Sequence, residues 1–189
     1  MSITREKIIE LGEELILTKG YNGFSYQDIS NVLGIKNAAI HYYFPSKENL
    51  GTSILKTNIQ RFDEMVENME SRSFDEWNQL ESFMKIYLKS NRENKICIIG
   101  SLGTDINTLS LPIQQELTKM VDHIVSWIER ILKNGLTKGL FQFKIPARDQ
   151  ALRILGLLIS ALQLARILNK SNFKIIYQSI IDEIKPEIQ

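Results

Sequence analysis

The residues best suited to binding another molecule lie in one short stretch, residues 25–50, which reads SYQDISNVLGIKNAAIHYYFPSKENL. Its apolar spacing predicts two short helices, and Gly34 between them suits the left-handed residue of a tight turn. Two helices joined in this way form a helix-turn-helix, whose second helix lies in the major groove of DNA. The stretch therefore predicts nucleic-acid recognition.

The second helix of this motif carries small residues and then a run of rings. Ala38 and Ala39 are small enough to let the backbone approach base edges closely, and three polar-tipped rings follow at residues 41–43. We interpret Phe44 and Tyr43 as core residues. The alternative, that all the tyrosines only pack the small domain, stays open. The side chains that we interpret as DNA-facing are those of Tyr42, Lys36 and Lys47.

Several separated features of this region agree in register with a known pattern. They are Gly20-Tyr21, Phe24-Ser25, Asp28-Ile29-Ser30, Gly34-Ile35, the run from Ala39 to Phe44, and Ser46-Lys47-Glu48-Asn49-Leu50. With these features, residues 5–50 resemble the N-terminal DNA-binding domain of the TetR/AcrR family of transcriptional regulators. Lys36 and Ala39 depart from the family pattern, which commonly has a small hydroxyl residue and Thr there. The operator sequence is therefore left open.

The resemblance implies a transcriptional regulator, most simply a repressor released from DNA by a small-molecule effector. It implies base or nearby phosphate contacts by Lys36, Asn37, Ala39 and His41. It implies phosphate contacts by Ser25, Tyr42 and Lys47. Ser25 and Lys47 also lie at predicted helix N-termini, where unpaired backbone amides favour phosphate.

The rest of the chain predicts helices that position this motif. The fold class is all-α, with an N-terminal three-helix helix-turn-helix domain (residues 1–46) and a larger helical effector-binding and dimerisation domain (residues 47–189). In the second helix we expect Ile29, Val32 and Leu33 to face inward. The nine predicted helices cover residues 4–18, 26–33, 37–43, 47–69, 74–91, 98–108, 112–138, 147–169 and 173–185.

Composition fits a soluble globular protein. The 189 residues are 43% apolar and 24% charged. The 23 Lys and Arg residues are nearly balanced by 22 Asp and Glu residues, so any basic surface must come from the way the charges are arranged in the fold. The charged start predicts no secretory signal. The longest uncharged apolar stretch, residues 154–165, is too short to cross a bilayer. A single cysteine, Cys97, fits a reducing compartment, so we expect a cytoplasmic protein without a membrane partner.

A motif of this size usually binds DNA as part of a homodimer, because the two copies together recognise one pseudo-palindromic DNA site. The predicted helices at about 147–169 and 173–185 are the expected dimer elements. The first of them is too apolar for a surface helix, and small residues would let a second helix approach closely. Those small residues are Gly156, Ser160, Ala161 and Ala165. The alternative is that this helix is only the core helix of its own domain.

Residues 57 onward show no catalytic motif, no metal-ligand spacing around the second histidine, His123, and no phosphate-binding loop. We therefore expect no enzyme, no cofactor and no metal. A small, mostly apolar effector would need aromatic walls and a few polar groups. The candidate ligand-binding residues are Phe83, Tyr87, Cys97, Ser101, Trp127 and Gln163.

Cys97 stands in a segment, residues 96–105, that looks like a family segment in which some members carry an electrophile-sensing or oxidant-sensing cysteine. Its position near a helix start suggests some reactivity, whereas the alternative is a small buried apolar residue. Three alternatives to the effector-released repressor stay open. They are a thiol-based sensor through Cys97, a ligand-independent DNA-binding or partner-binding module, and a helical enzyme with a DNA-binding-like N-terminus.

Overall fold

The computed structural model describes residues 5–186. The regular structure in that range is entirely helical, with nine α-helices and two short 3-10 turns, at Tyr21–Gly23 and Ile106–Thr108. The all-α fold of about nine helices is thereby confirmed for this part of the chain. The helices are α1 (Arg5–Lys19), α2 (Tyr26–Leu33), α3 (Asn37–Tyr43), α4 (Lys47–Ser71), α5 (Glu76–Arg92), α6 (Ile98–Thr104), α7 (Leu111–Thr137), α8 (Ala147–Ile167) and α9 (Ser171–Ile184).

The observed helix ends lie close to the predicted ones. α2 and α3 begin and end at the predicted residues. The sixth predicted helix is wrong at its C-terminal end, because α6 stops at Thr104 and a 3-10 turn follows. Gly103 weakens the helix there, and Asp105 adopts φ −88° and ψ 2°, a conformation that leaves the helix. The predicted start of the first helix, Thr4, lies outside the described residues.

The chain divides into two compact units. Unit 1 comprises residues 1–62 and 98–120, and unit 2 comprises residues 63–97 and 121–189. Unit 1 thus contains α6 and the first part of α7 together with the helices at the start of the chain. These units reflect packing. The division at residue 46 into DNA-binding and effector-binding domains concerns function and stays a prediction.

Unit 1 packs the helix-turn-helix onto a mainly aliphatic core. Gly51 brings α4 close to its neighbours, since a Cβ atom there would lie 2.9 Å from Cδ1 of Ile113 and 3.1 Å from Cε2 of Tyr21. Ser101 of α6 donates its hydroxyl hydrogen to the carbonyl oxygen of Ile16 in α1 at 2.9 Å. The most buried side chains of this core include Ile8, Ile16, Ile29, Ile40, Phe44, Leu50, Ile54 and Leu55.

Unit 2 is built around α8, which is apolar on two faces. One face is buried against the unit's own core and includes Leu158, Ala161 and Ala165. The prediction that these two alanines admit a second copy is therefore wrong, because helices of the same unit already cover them. Gly156 and Ser160 lie on the exposed face.

α8 is also, in the described part of the chain, the one helix long and apolar enough to cross a membrane, and 44% of its apolar stretch is buried in the fold. The core helix of a soluble protein can have the same length and composition.

Candidate nucleic-acid interface

The turn between α2 and α3 depends on Gly34. This residue has φ 66° and ψ 35°, in the left-handed region, and its N–H donates to the carbonyl oxygen of Ser30. Ile35 N–H donates to the same oxygen at 3.1 Å, so this carbonyl group at the end of α2 accepts two hydrogen bonds. A Cβ atom at Gly34 would meet nothing within 4 Å. Backbone conformation, and not lack of space, is therefore the reason for glycine here.

The start of α2 is held by a reciprocal cap between Ser25 and Asp28. The Asp28 carboxylate accepts hydrogen bonds from the Ser25 backbone N–H at 2.8 Å and from its hydroxyl at 2.9 Å. Lys19 of α1 pairs with the same carboxylate at 3.0 Å. The Ser25 backbone hydrogen bond, followed by Lys19, lowers the pKa of Asp28 to about 2. The Ser25 hydroxyl, predicted to contact phosphate, is a donor to Asp28 in this structure.

The exposed face of α3 presents the residues expected to reach DNA. Ala39 and His41 are exposed, and Tyr42 is the most exposed large side chain, at 82%. On the opposite face Ile40 and Phe44 are buried, as predicted for Phe44. Their spacing of four residues puts both on one side of the helix and turns the other side outward.

Two expectations about apolar side chains in this motif are wrong. Val32 is 67% exposed and does not face inward, because the last turn of α2 is covered only on the side of Ile29 and the half-buried Leu33. Tyr43 is 37% exposed and packs edge-on against Tyr42, with ring centroids 5.1 Å apart, so it is not a core residue.

The His41 ring is fixed in one orientation by two contacts. Its Nδ1 lies 3.1 Å from the carbonyl oxygen of Pro45, and the ring packs edge-on against Tyr26 with centroids 4.9 Å apart. A carbonyl oxygen only accepts, so Nδ1 carries the hydrogen and Nε2 of the neutral ring is an acceptor. Tyr26 in turn donates its hydroxyl hydrogen to Phe44 O at 2.9 Å, and burial raises the pKa of Tyr26 to about 12.

A chain of side-chain amides joins α2 to the start of α3. Asn37 donates through Nδ2 to Oε1 of Gln27 at 3.2 Å, and Gln27 donates through Nε2 to Oδ1 of Asn31 at 2.7 Å. Asn37 is half-buried, whereas Lys36 directly before α3 is exposed. Sequence reasoning identified Asn37 but missed Gln27 and Asn31. Their spacing of four residues on one helix is the signal that indicates a paired contact.

Lys47 has partners that the sequence did not reveal. Its Nζ donates to the carbonyl oxygens of Tyr21 at 2.6 Å and Phe24 at 2.5 Å. The same ammonium lies 4.6 Å and 4.1 Å from the ring centroids of these two residues. Burial lowers the pKa of Lys47, partly offset by Asp105 and Asp28. The ammonium predicted to bind phosphate is directed into the fold.

The predicted effector-binding residues divide between the two units. In unit 2 the rings of Phe83 and Tyr87 lie 5.6 Å apart, and those of Phe83 and Trp127 also lie 5.6 Å apart. All three are buried, and burial raises the pKa of Tyr87 well above its usual value. We call these three residues the aromatic cluster. The remaining candidates lie in unit 1 (Ser101) and in unit 2 (Cys97 and Gln163, both half-buried).

No group of three or more His, Cys, Asp or Glu side chains placed to hold a metal ion occurs within residues 5–186. Two ion pairs join helices of unit 1, Lys19 of α1 with Asp28 of α2 and Arg61 of α4 with Glu13 of α1 at 2.5 Å. The arrangement around α2 and α3 is suited to binding a macromolecule with an exposed helix face.

Residues 8–52, which include α2, the turn and α3, match the family model described as "Bacterial regulatory proteins, tetR family". Among solved structures, the chain is similar to a TetR transcriptional regulator from Legionella pneumophila, at 28% identity and a TM-score of 0.87, over 98% of this chain and 99% of that chain. It is similar to a TetR family transcriptional regulator from Agrobacterium tumefaciens, at 26% identity and a TM-score of 0.89, over 96% and 97% of the two chains.

Among curated proteins, the chain is similar to the HTH-type transcriptional repressor NemR of Escherichia coli strain K12. The two are 22% identical over 170 residues, which cover 87% of this chain and 84% of NemR. The likeness to all three relatives extends well beyond the helix-turn-helix, into the part of the chain that follows it.

Proposed function

We propose that this chain is a repressor of the tetR family of bacterial regulatory proteins, that it binds a pseudo-palindromic operator as a homodimer and that a small-molecule effector releases it. Proteins of this family are transcription regulators and not enzymes. We propose that it acts in the cytoplasm, where its DNA target lies. The single observation that carries the proposal is the exposed face of α3, held on a rigid turn.

We propose that α3 enters the major groove. The small side chain of Ala39 lets the helix approach the base edges, and the fixed His41 ring presents Nε2 as an acceptor toward the amino groups of cytosine or adenine. Asn37 and Lys36 complete the proposed set that faces bases or nearby phosphates, and the exposed Lys36 ammonium is the phosphate contact of this set. Ser25 and Tyr42 form the proposed phosphate-facing set, of which Tyr42 is the more exposed. The sequence also predicted Lys47 in this set, but its ammonium has two carbonyl partners, and we propose that it positions the motif instead.

The proposed homodimer forms through α8 and α9. The outward face of α8 exposes several large apolar side chains, and Ile175 of α9 is 67% exposed. Exposed apolar surface of this extent is typical of an interface between proteins. A Cβ atom at Gly156 would meet nothing within 4 Å, so this position is open to a second helix. The exposed apolar residues of the α8 face are Leu152, Leu164, Ile167 and, just beyond its end, Leu168.

The proposed effector site is the surroundings of the aromatic cluster. Rings in edge-on and tilted contact supply the apolar walls that a small ligand needs, and Gln163 and Cys97 add polar atoms in the same unit. Binding there needs a coupling free energy of only about 1–3 kcal/mol to the DNA-bound state to act as a switch.

A ligand-independent DNA-binding module is the second candidate. The observation that favours it is the dense packing of the aromatic cluster, in which all three rings are buried and in contact. The thiol-based sensor stays a proposal as well. It is supported by the half-buried position of Cys97 directly before α6.

Selection of random DNA by the purified full-length protein tests the main proposal. We expect the bound fragments to contain an inverted repeat with half-site centres about one helical turn apart. A compound screen for release of that DNA then separates the effector-released repressor from the ligand-independent module. Thiol labelling with and without DNA tests the sensor. Recovery of no enriched sequence would contradict DNA recognition by α3.

A further inference from the structure

Unit 2 contains a cleft of about 290 Å³ that is separate from both α3 and the aromatic cluster. It lies beside the segment that joins α7 to α8, residues 142–145, and is completed by Gln150 and Arg153 of α8 and Glu183 of α9. This volume is at the small end of the range for ligand sites in proteins, so it suits one small organic molecule.

The walls of the cleft are held in place by the fold. The backbone N–H of Gln142 donates to the carbonyl oxygen of Ile184 at 2.8 Å, which ties the joining segment to the end of α9. Arg153 and Glu183 form an ion pair, with Nη1 and Oε1 2.6 Å apart. These contacts set the positions of the polar groups before any ligand binds, which lowers the entropic cost of binding.

Gln150 is one of the residues that line this cleft, and its side chain has one polar atom without a partner. The side chain is 1% exposed, and its Nε2 lies 3.5 Å from Oε1 of Glu183. Its Oε1 is buried and accepts no hydrogen bond from the described residues. Leaving a buried acceptor unpaired is costly, so a bound hydrogen-bond donor would remove a penalty that the unliganded fold carries.

The charges around the cleft favour an anion. Lys144 and Arg153 are cationic and only Glu183 is anionic, so the lining has an excess of one positive charge. Glu183 is already paired with Arg153, whose planar guanidinium has further N–H groups to offer. Phe143 and Ile145 supply an apolar surface beside these charges.

We propose that this cleft binds a small organic monocarboxylate that carries a hydroxyl or ammonium donor next to its carboxylate. The carboxylate lies against Lys144 and Arg153, and the donor reaches Oε1 of Gln150. The remainder of the ligand packs on Phe143 and Ile145. This inference does not depend on the proposed function, because the site is defined by contacts within unit 2 alone.

Titration calorimetry of the full-length protein with three matched probes tests the chemistry. Mandelate has the carboxylate, the neighbouring hydroxyl and an apolar ring, phenylacetate lacks the hydroxyl, and mandelamide lacks the charge. We expect mandelate to bind, and each of the other two to bind about tenfold more weakly or not at all. Equal binding of the three compounds, or no binding of mandelate at millimolar concentration, would overturn the proposal.

Variants locate the binding in the same titration. Gln150→Leu removes the orphan oxygen and Lys144→Ala removes an exposed cation, and each should weaken mandelate binding about tenfold. Lys174→Ala removes an exposed cation of α9 that is not part of the cleft and should leave the affinity unchanged. If Gln150→Leu does not fold by circular dichroism, Lys144→Ala decides alone. Unchanged affinity in Lys144→Ala would place the mandelate elsewhere and overturn the proposal.

Discussion

Nζ of Lys47 lies 2.6 Å from the carbonyl oxygen of Tyr21, although the two residues are 26 positions apart in the chain. The contact joins the first residue of α4 to the turn that precedes α2. Because the ammonium also reaches Phe24 O, it satisfies two carbonyl groups that lie between α1 and α2. Lys47 therefore acts as a positioning residue for the helix-turn-helix in this structure.

Replacing Lys47 with Ala should lower the free energy of unfolding by about 1–2 kcal/mol, because two backbone acceptors lose a charged donor. Urea unfolding measures this loss. The salt dependence of operator binding should change little, since the ammonium faces the fold.

Lys36→Ala is the matched control for that measurement. Lys36 is exposed directly before α3, and removing one phosphate contact lowers the slope of log K against log salt by about 0.9. An equal loss of slope in Lys47→Ala, with unchanged stability, would show that Lys47 leaves its carbonyl partners and contacts DNA.

Gly34→Ala should destabilise the protein by about 1 kcal/mol, because φ at this position is 66° and a Cβ atom disfavours that region. Gly103→Ala is the control. Gly103 lies in α6, a Cβ atom there would also meet nothing within 4 Å, and its backbone is helical. That substitution should instead stabilise by roughly 0.5–1 kcal/mol. Thermal or urea unfolding distinguishes the two, and effects of the same sign would contradict the backbone argument.

Asp28 predicts a specific pH dependence. Its pKa is lowered to about 2 in the fold, so its ionised form contributes stability that is present above its ordinary value near 4 and is lost as the pH falls toward 2. The difference in unfolding free energy between the natural protein and Asp28→Asn should therefore shrink over that range. Urea unfolding of both proteins from pH 6 downward measures it. A difference that is constant with pH would mean that the charge of Asp28 contributes nothing.

Leu164→Glu should separate the proposed homodimer into monomers and weaken operator binding, because it places a charge in the outward face of α8. Leu164 is 43% exposed, and Ile86 of α5 is a control with nearly the same exposure, 44%, on a different helix. Ile86→Glu should leave the mass in solution unchanged. Light scattering coupled to size exclusion measures both variants. If the natural protein itself has the mass of a monomer, the proposed homodimer is wrong.

His41→Phe should change which sequence the protein prefers. The phenyl ring keeps the packing against Tyr26 but has no Nε2 to accept a hydrogen bond from a base. Selection of random DNA should show relaxed preference at one position in each half-site, worth about 1–3 kcal/mol. The same preference in both proteins would remove His41 from the base-reading set.

Short-range interactions explain why so much of the helix-turn-helix was predictable. The cap between Ser25 and Asp28 spans three residues, and the turn at Gly34 uses hydrogen bonds to Ser30. Residue types at fixed short spacing are enough to predict such contacts, so the predicted first and last residues of α2 and α3 agree with those in the structure. The partners of Lys47 lie too far along the chain to be inferred in this way.

The sequence by itself determined the helical fold, the position of the helix-turn-helix and the resemblance to a family of regulators, because each depends on periodicity, caps and turns within a few residues. Only the tertiary structure decided which side chains are exposed. It placed Val32 outside and Ala161 inside, although both lie in apolar helices. Whether an apolar side chain of a helix is buried depends on how neighbouring helices pack against it. That packing leaves Leu164 exposed. It also brings Ser101 to Ile16, 85 residues away in the chain, where the two form a hydrogen bond.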